Sequence, residues 1–334
     1  MVAFAFLREM NLFTQVPFPD ATNLIDYQSR LVFIGSCFTE EIGGWLRDLK
    51  FTSYINPNGI TYNPSSIAGQ ISDALEGKDL NEKDIQEKDG SFFHPDFHSS
   101  MNRPSIDVFI KNAKQNRVLL EKELKSADFL FLTFGTSIAF EWLKSEKVVN
   151  NCHRLPSSDF NKVMLSEELM TTSLVGAIQT IQSFNPNIEI ILTVSPIRHL
   201  RHGAVQNQRS KARLLKLCEN LEKRFTNCTY LPIYELVMDE LRDYRFYRQD
   251  DLIHLNEGGL EVIKDRFTTS MIDSASFPTI RKVEKWRRAM SHRIQNEESE
   301  AAMKFKRQLM ELTEELNKAL PGRFTEELKR LKSS

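Results

Sequence analysis

The 334-residue sequence has no surplus of either charge: 44 Lys plus Arg stand against 45 Asp plus Glu, a formal net charge of −1. With no basic field to concentrate nucleic acid or an anionic membrane surface, neither is an expected partner. Cysteine is scarce and scattered, at positions 37, 152, 218 and 228, and no two stand in the CxxC spacing of zinc ribbons or redox motifs. The four read as reduced thiols, and neither a metal nor a cofactor is expected. No stretch approaches the ~20 apolar residues that a membrane span requires. The opening MVAFAFLREMNLF lacks a basic start, is interrupted by Arg8 and Glu9, and is followed by no small-residue cleavage site. A secretory signal is therefore not expected, and Met10 offers an alternative initiator. The expectation is a soluble, cytoplasmic protein. A Gly-rich phosphate loop is also missing, which leaves a phosphoester or nucleotide enzyme without its usual anion cradle. There are no internal repeats or low-complexity tracts.

What is present is apolar material in short continuous runs. Leu31 to Gly35, Phe129 to Phe134, Ile188 to Val194 and Tyr230 to Ile233 read as strands, with Phe51 to Ile55 as a weaker fifth. Because the runs do not alternate with polar residues, they predict strands buried on both faces, as in a parallel sheet covered by helices. Helical stretches lie between them: Glu40 to Lys50, Ile106 to Lys125, Ser166 to Ser183, Ser210 to Phe225 and Glu257 to Asp273. This alternation predicts βαβ units in an open α/β/α fold whose site lies beyond the carboxyl ends of the strands. Two regions interrupt it. Asn56 to Arg103 holds turn chemistry and a charged insert, and reads as an elaborated loop. From Arg281 the chain is highly charged, with Met303, Leu309, Leu312 and Leu316 at helical spacing and a break at Pro321-Gly322. The expected organisation is a main domain over 13–278 and a helical extension over 279–334. A helix pair packing on its own domain is the simpler reading of the extension, and a homo-oligomer contact is the alternative.

Two motifs bear on chemistry. In FIGSCFTEEIGGWL a buried strand ends at Gly35-Ser36-Cys37 and a helix follows at once. A serine there can offer its hydroxyl at a helix N-terminus, where backbone N–H groups and the helix dipole favour negative charge. The plain reading of the same residue is an N-cap. Asp251-Leu252-Ile253-His254 precedes the last core helix. At this spacing the carboxylate can hold the imidazole in one tautomer while the free ring nitrogen accepts a proton. A helix cap beside a surface histidine is the plain alternative.

The serine turn after the first strand and DxxH before the last core helix together resemble the SGNH hydrolases. Gly35-Ser36-Cys37-Phe38 sharpens the resemblance to the GSCFA family, although Thr39 stands where its name has alanine. NPNGITYNP, HPDFHS, TFGTS, NCHRLP, TVSPIRHLRHG and NQRSKA are similar to the family's further stretches, and the resemblance spans roughly Phe13 to Asp273. It implies a three-layer, flavodoxin-like SGNH fold with a central parallel sheet. It also implies Ser36 as nucleophile, His254 as general base and later acid, and Asp251 as the orienting carboxylate. The SGNH oxyanion hole adds a Gly and an Asn to the serine N–H. Gly59 suits the first role. For the second, Gly135 is followed by Thr136 and Ser137 where the pattern has Asn two residues on, so Ser137, Thr136 or Asn151 is left to substitute.

His98, Gly135, Thr136, His153, Arg198 and His199 follow or connect strands and are the candidate substrate-binding residues, with Asn151 and Arg201 nearby. The Arg198 fork suits a carboxylate, a phosphate or sugar hydroxyls. Structural hydrogen bonds are the plain reading of the same cluster. Cys37 beside Ser36 and Cys152 beside His153 raise a thiol alternative, set against the tendency of free cysteine to be buried and inert. The expected function is that of a serine esterase or acyltransferase acting on short acyl esters of small molecules or glycans. A non-catalytic scaffold that binds a ligand or serves assembly is the alternative.

Overall fold

The computed structural model describes residues 14–21, 23–292 and 299–332. The opening MVAFAFLREMNLF and Met10 lie outside the described residues.

Five strands form the central sheet: β1 (Arg30–Gly35), β2 (Thr52–Ile55), β5 (Phe129–Phe134), β9 (Glu189–Val194) and β10 (Cys228–Tyr230). Their order is β10-β9-β5-β1-β2, and every pair is parallel. The continuous apolar runs follow from burial on both sides. In β1, Val32 and Ile34 join one core cluster, with Leu130, Leu132, Ile190 and Leu192. The alternate residues Leu31 and Phe33 join the other, with Phe129, Phe131 and Ile191. The rings of Phe33 and Phe131 stack across β1 and β5 with centroids 4.4 Å apart. Each such side chain contributes about 1.5–3 kcal/mol by leaving water.

Helices cover both faces. On the first lie α2 (Pro64–Leu75), α3 (Ile106–Ser126), α4 (Glu167–Phe184) and α5 (Ala204–Arg224). On the second lie α1 (Cys37–Asp48) and α6 (Glu257–Met271), through Phe38, Ile42, Leu46, Ile263 and Phe267. The chain is thus an α/β protein with a five-stranded parallel sheet between helical layers.

The segment from Asn56 to Arg103, read as a loop, contains α2. Asn63 caps that helix by accepting the Ser66 N–H at 2.8 Å, Pro64 takes the first turn, and Ile67, Ile71, Ala74 and Leu75 form its buried stripe. The same segment holds a hairpin of β3 (Gln86–Lys88) and β4 (Ser91–Phe93). A second unanticipated element is an antiparallel sheet of β6 (Ile138–Trp142), β7 (Lys147–Val149) and β8 (Phe160–Met164), in the order β7-β6-β8. Runs of three to five residues carry too little periodicity to be legible without their partners.

The C-terminal region forms α7 (Phe277–Ser291), α8 (Glu300–Ala319) and α9 (Thr325–Lys332). Ile280, Val283, Trp286, Leu309, Leu316, Leu320 and Phe324 pack into the same cluster as Phe33 and Phe131. Trp286 Nε1 donates to Thr313 Oγ1 at 2.9 Å, and Arg323 donates to the carbonyls of Lys50 and Tyr27. Of the four apolar residues noted at helical spacing, Leu309 and Leu316 are buried, Leu312 is half-buried and Met303 is exposed. Among the described residues no helix is long and apolar enough to cross a membrane.

Candidate functional site

The sheet runs outward from β1 to β2 on one side and from β5 through β9 to β10 on the other. The crevice beyond the β1 and β5 carboxyl ends is therefore the topological switch point, where open α/β sheets form their sites. A cleft of about 450 Å³ opens there. Its lining includes Cys37 from the start of α1, Tyr62 and Asn63 ahead of α2, and Thr136 after β5. Arg198, His199, Arg201 and His202 come from the segment after β9, and His254 from the turn before α6. Apolar walls come from Ile138, Phe140, Val149 and Ile197. Two arginines and three histidines line the cleft, and none of its described lining residues is a carboxylate.

The DxxH turn is held by its own aspartate. Asp251 Oδ1 accepts the N–H groups of Ile253 and His254 at 2.8 and 2.9 Å, and Oδ2 lies 2.7 Å from His254 Nδ1. Those N–H bonds, the His254 amide first, and then the imidazole hold the carboxyl well below its ordinary range. The pairing occupies Nδ1 and leaves Nε2 as the free nitrogen of a side chain 44% exposed. Arg198 clamps the turn from outside by donating to the Leu252 carbonyl at 2.9 Å, and its guanidinium stands 5.1 Å from the Tyr247 ring centroid.

The Ser36 turn is tight. Gly35 has φ +154°, and a Cβ there would lie 2.3 Å from the Thr133 carbonyl oxygen, so only glycine fits. Ser36 is extended (φ −69°, ψ 177°) at the N-cap position, yet its side chain caps nothing. It is fully buried, and its hydroxyl has no hydrogen-bond partner among the described residues. Its N–H donates to the Thr133 carbonyl at 3.2 Å. Ser36 therefore lies behind the cleft, while Cys37, the first helical residue, borders it.

The other expected oxyanion donors also lie elsewhere. The Gly59 N–H donates to the Asn56 carbonyl at 2.8 Å, and the Asn151 N–H to Pro95 at 3.0 Å. The Asn151 side chain accepts the His153 N–H at 2.8 Å. Neither Gly59 nor Asn151 borders the cleft, whereas Asn63 and Asn150 do. The N–H groups of Gly135 and Thr136 both point to the Tyr62 carbonyl, at 2.8 and 3.1 Å, because the β5 end turns sharply against that strap. Ser137 is buried and bonded to Ser210.

Of the expected substrate-binding residues, Thr136, Arg198 and His199 border the cleft, and His98, Gly135 and His153 do not. His98 Nδ1 lies 3.0 Å from Ser100 Oγ, and its Cβ backs Gly59. His153 is a core residue, stacked on Phe93, with Nε2 at 2.9 Å from the Phe97 carbonyl and burial pushing its pKa down to about 4. His199 meets Tyr62 edge-on, and burial, then the Lys211 charge, lowers it to about 4. Its Nε2 is buried without a partner among the described residues. Cys152 lies outside the cleft lining, with burial raising its thiol to about 11.

Sequence reasoning missed Tyr62, Asn63, Asn150 and Lys211. Lys211 is wholly buried and donates to the carbonyls of Gly135 at 2.7 Å and Ser195 at 2.6 Å, tying together the loops that follow β5 and β9. Burial pushes it down to about 7. The available signal was its register: Lys211 stands three residues before Leu214 and seven before Cys218 on the apolar stripe of α5.

No curated protein matches the chain. Residues 283–334 match the GSCFA domain protein, C-terminal domain, and residues 30–267 match the GSCFA family model. With well over half of its length covered by that model, the chain belongs to the GSCFA family.

Proposed function

We propose that the protein is an acyl-transfer enzyme of the SGNH type, an esterase or acyltransferase, acting on short acyl esters of small molecules or glycans. The observation that carries this reading is the Asp251–His254 pair, joined at 2.7 Å and opening onto the same switch-point cleft as the β1–α1 turn. His254 Nε2 is the general base for a nucleophile on that turn. The imidazolium formed by proton transfer is stabilised by Asp251 and returns the proton to the leaving alcohol. Water or an acceptor hydroxyl then releases the acyl group, with His254 again as base. The apolar walls suit an acyl chain, and Arg198 and Arg201 suit an anionic or hydroxyl-rich remainder.

The second reading is a non-catalytic scaffold that binds a ligand. It is favoured by the commitment of the Ser36, Gly59, Gly135 and Thr136 N–H groups to protein carbonyls. Intact-mass measurement during p-nitrophenyl acetate turnover separates the two. An acetylated protein whose rate of formation falls about 10²- to 10⁴-fold in His254→Ala is the expected result. A folded wild type that is never acylated, or an undiminished His254→Ala, would leave the scaffold reading.

A further inference from the structure

We propose that the nucleophile is the Cys37 thiol, one residue beyond the serine that the sequence marks. This inference rests on the acyl-transfer reading of the cleft and assigns the atom that receives the acyl group. The backbone itself selects between the two residues. Ser36 is the extended N-cap residue, and its hydroxyl is fully buried and unpartnered among the described residues. Cys37 begins the helix, is half-buried, and lines the cleft together with His254, Tyr62, Thr136 and His199. The thiol is therefore not an isolated cysteine but shares one cavity with a hydrogen-bonded Asp–His pair.

A second observation comes from the oxyanion donors. The N–H groups of Ser36, Gly59, Gly135 and Thr136 are already spent on carbonyls: Ser36 on Thr133, Gly59 on Asn56, and Gly135 and Thr136 on Tyr62. The unspent donors lie at the first helical residue. The N–H groups of Cys37 and Phe38 belong to the first turn of a 12-residue helix and have no carbonyl acceptor among the described residues. Both lie against the Cys37 sulfur. A carbonyl oxygen that gains charge beside Sγ can accept from them at the positive end of the helix dipole.

The resting form of the sulfur fits base-assisted attack. Burial, with some help from Glu40, pushes the thiol up, against its backbone contacts and the Lys211 charge, so at neutral pH it carries its proton. In the first step Sγ bonds to the acyl carbon, the thiol proton passes to His254 Nε2, and the ester C–O bond breaks. The leaving oxygen takes the proton from His254. In the second step water or an acceptor hydroxyl attacks the thioester, its proton goes to His254, the C–S bond breaks, and His254 returns the proton to Sγ to restore the thiol. No oxidant or metal enters the balance. A thioester intermediate hands its acyl group to alcohols and amines readily, which favours transfer.

The test is adduct mapping by peptide mass spectrometry after exposure to p-nitrophenyl acetate, on wild type, Ser36→Ala, Cys37→Ala and Cys37→Ser. The expected adduct sits on Cys37 and is released rapidly by neutral hydroxylamine, as a thioester. Ser36→Ala, which removes a buried unpartnered hydroxyl, is expected to acylate within about threefold of wild type. Cys37→Ala is expected to lose about 10³-fold in acylation, while Cys37→Ser, which keeps a folded helix start, moves the adduct to a hydroxylamine-resistant oxygen ester. An adduct on Ser36, or acylation abolished by Ser36→Ala and kept by Cys37→Ala, would overturn the thiol assignment and leave a serine acyl enzyme. Absence of acylation in folded wild type would remove the acyl-transfer reading and the thiol assignment with it.

Discussion

Lys211 offers the most quantitative test of how this cleft is built. Its ammonium has no exposure to solvent, holds the Gly135 and Ser195 carbonyls, and is pushed down to about 7 by burial. In the unfolded chain it returns to roughly 10.4. Between these two values the unfolded state binds a proton that the folded state has released, so this residue makes stability rise with pH as pH passes through about 7. The full slope for one proton is about 1.4 kcal/mol per pH unit, and integration from about pH 6.5 to 8.5 gives about 2 kcal/mol. The perturbation is Lys211→Met, which keeps the volume and deletes the titration. Urea denaturation of both proteins at the two pH values is the assay. Wild type is expected to gain about 2 kcal/mol on the variant over that interval. Cys218 and Cys228, whose thiols burial pushes up, give a trend of the opposite sign at higher pH, but they occur in both proteins and cancel in the difference. Parallel pH dependences would refute the reasoning. They would mean that the two carbonyl bonds keep the ammonium protonated in spite of burial.

Gly35→Ala forces a Cβ to within 2.3 Å of the Thr133 carbonyl at a φ of +154°. The expected cost is at least about 3 kcal/mol, read as loss of the folded transition in thermal melting, and an unchanged Tm would contradict the described turn. Trp286→Phe removes the indole N–H that Thr313 Oγ1 accepts at 2.9 Å, 27 residues away on α8. About 1–3 kcal/mol should be lost in a single cooperative transition, since the C-terminal helices share a core with the sheet. A separate, earlier transition for the tail would show that they do not stabilise it.

The central strands were legible because a parallel sheet covered on both faces demands uninterrupted apolar residues, as in Phe129–Phe134, whereas the run Tyr230 to Ile233 meets the edge strand Cys228–Tyr230 at Tyr230 alone and continues into a short helix from Ile233. The DxxH turn was legible because its geometry is local: all three bonds made by Asp251 fall within three residues. The start of α2 carried a readable signal in Asn63-Pro64, but the surrounding turn residues masked it. Long-range partners were out of reach. Lys211 stands 76 residues from Gly135, and Arg198 stands 54 residues from the Leu252 carbonyl it clamps. Gly59, Asn151, His98 and His153 sit in polar, turn-rich stretches where residue type cannot say which way a side chain faces. The structure turns them toward local carbonyls, hydroxyls and the core.

By itself, the sequence determined the class of fold, the three central buried strands and the local pairing of Asp251 with His254, because periodicity and short-range hydrogen bonding are written in neighbouring residues. Only the tertiary structure decided which side of the β1–α1 turn faces the cleft. That choice depends on the Thr133 carbonyl, almost 100 residues away, which takes the Ser36 N–H and leaves no room for a side chain at Gly35. Ser36 is left fully buried, and Cys37 half-buried at the edge of the cleft.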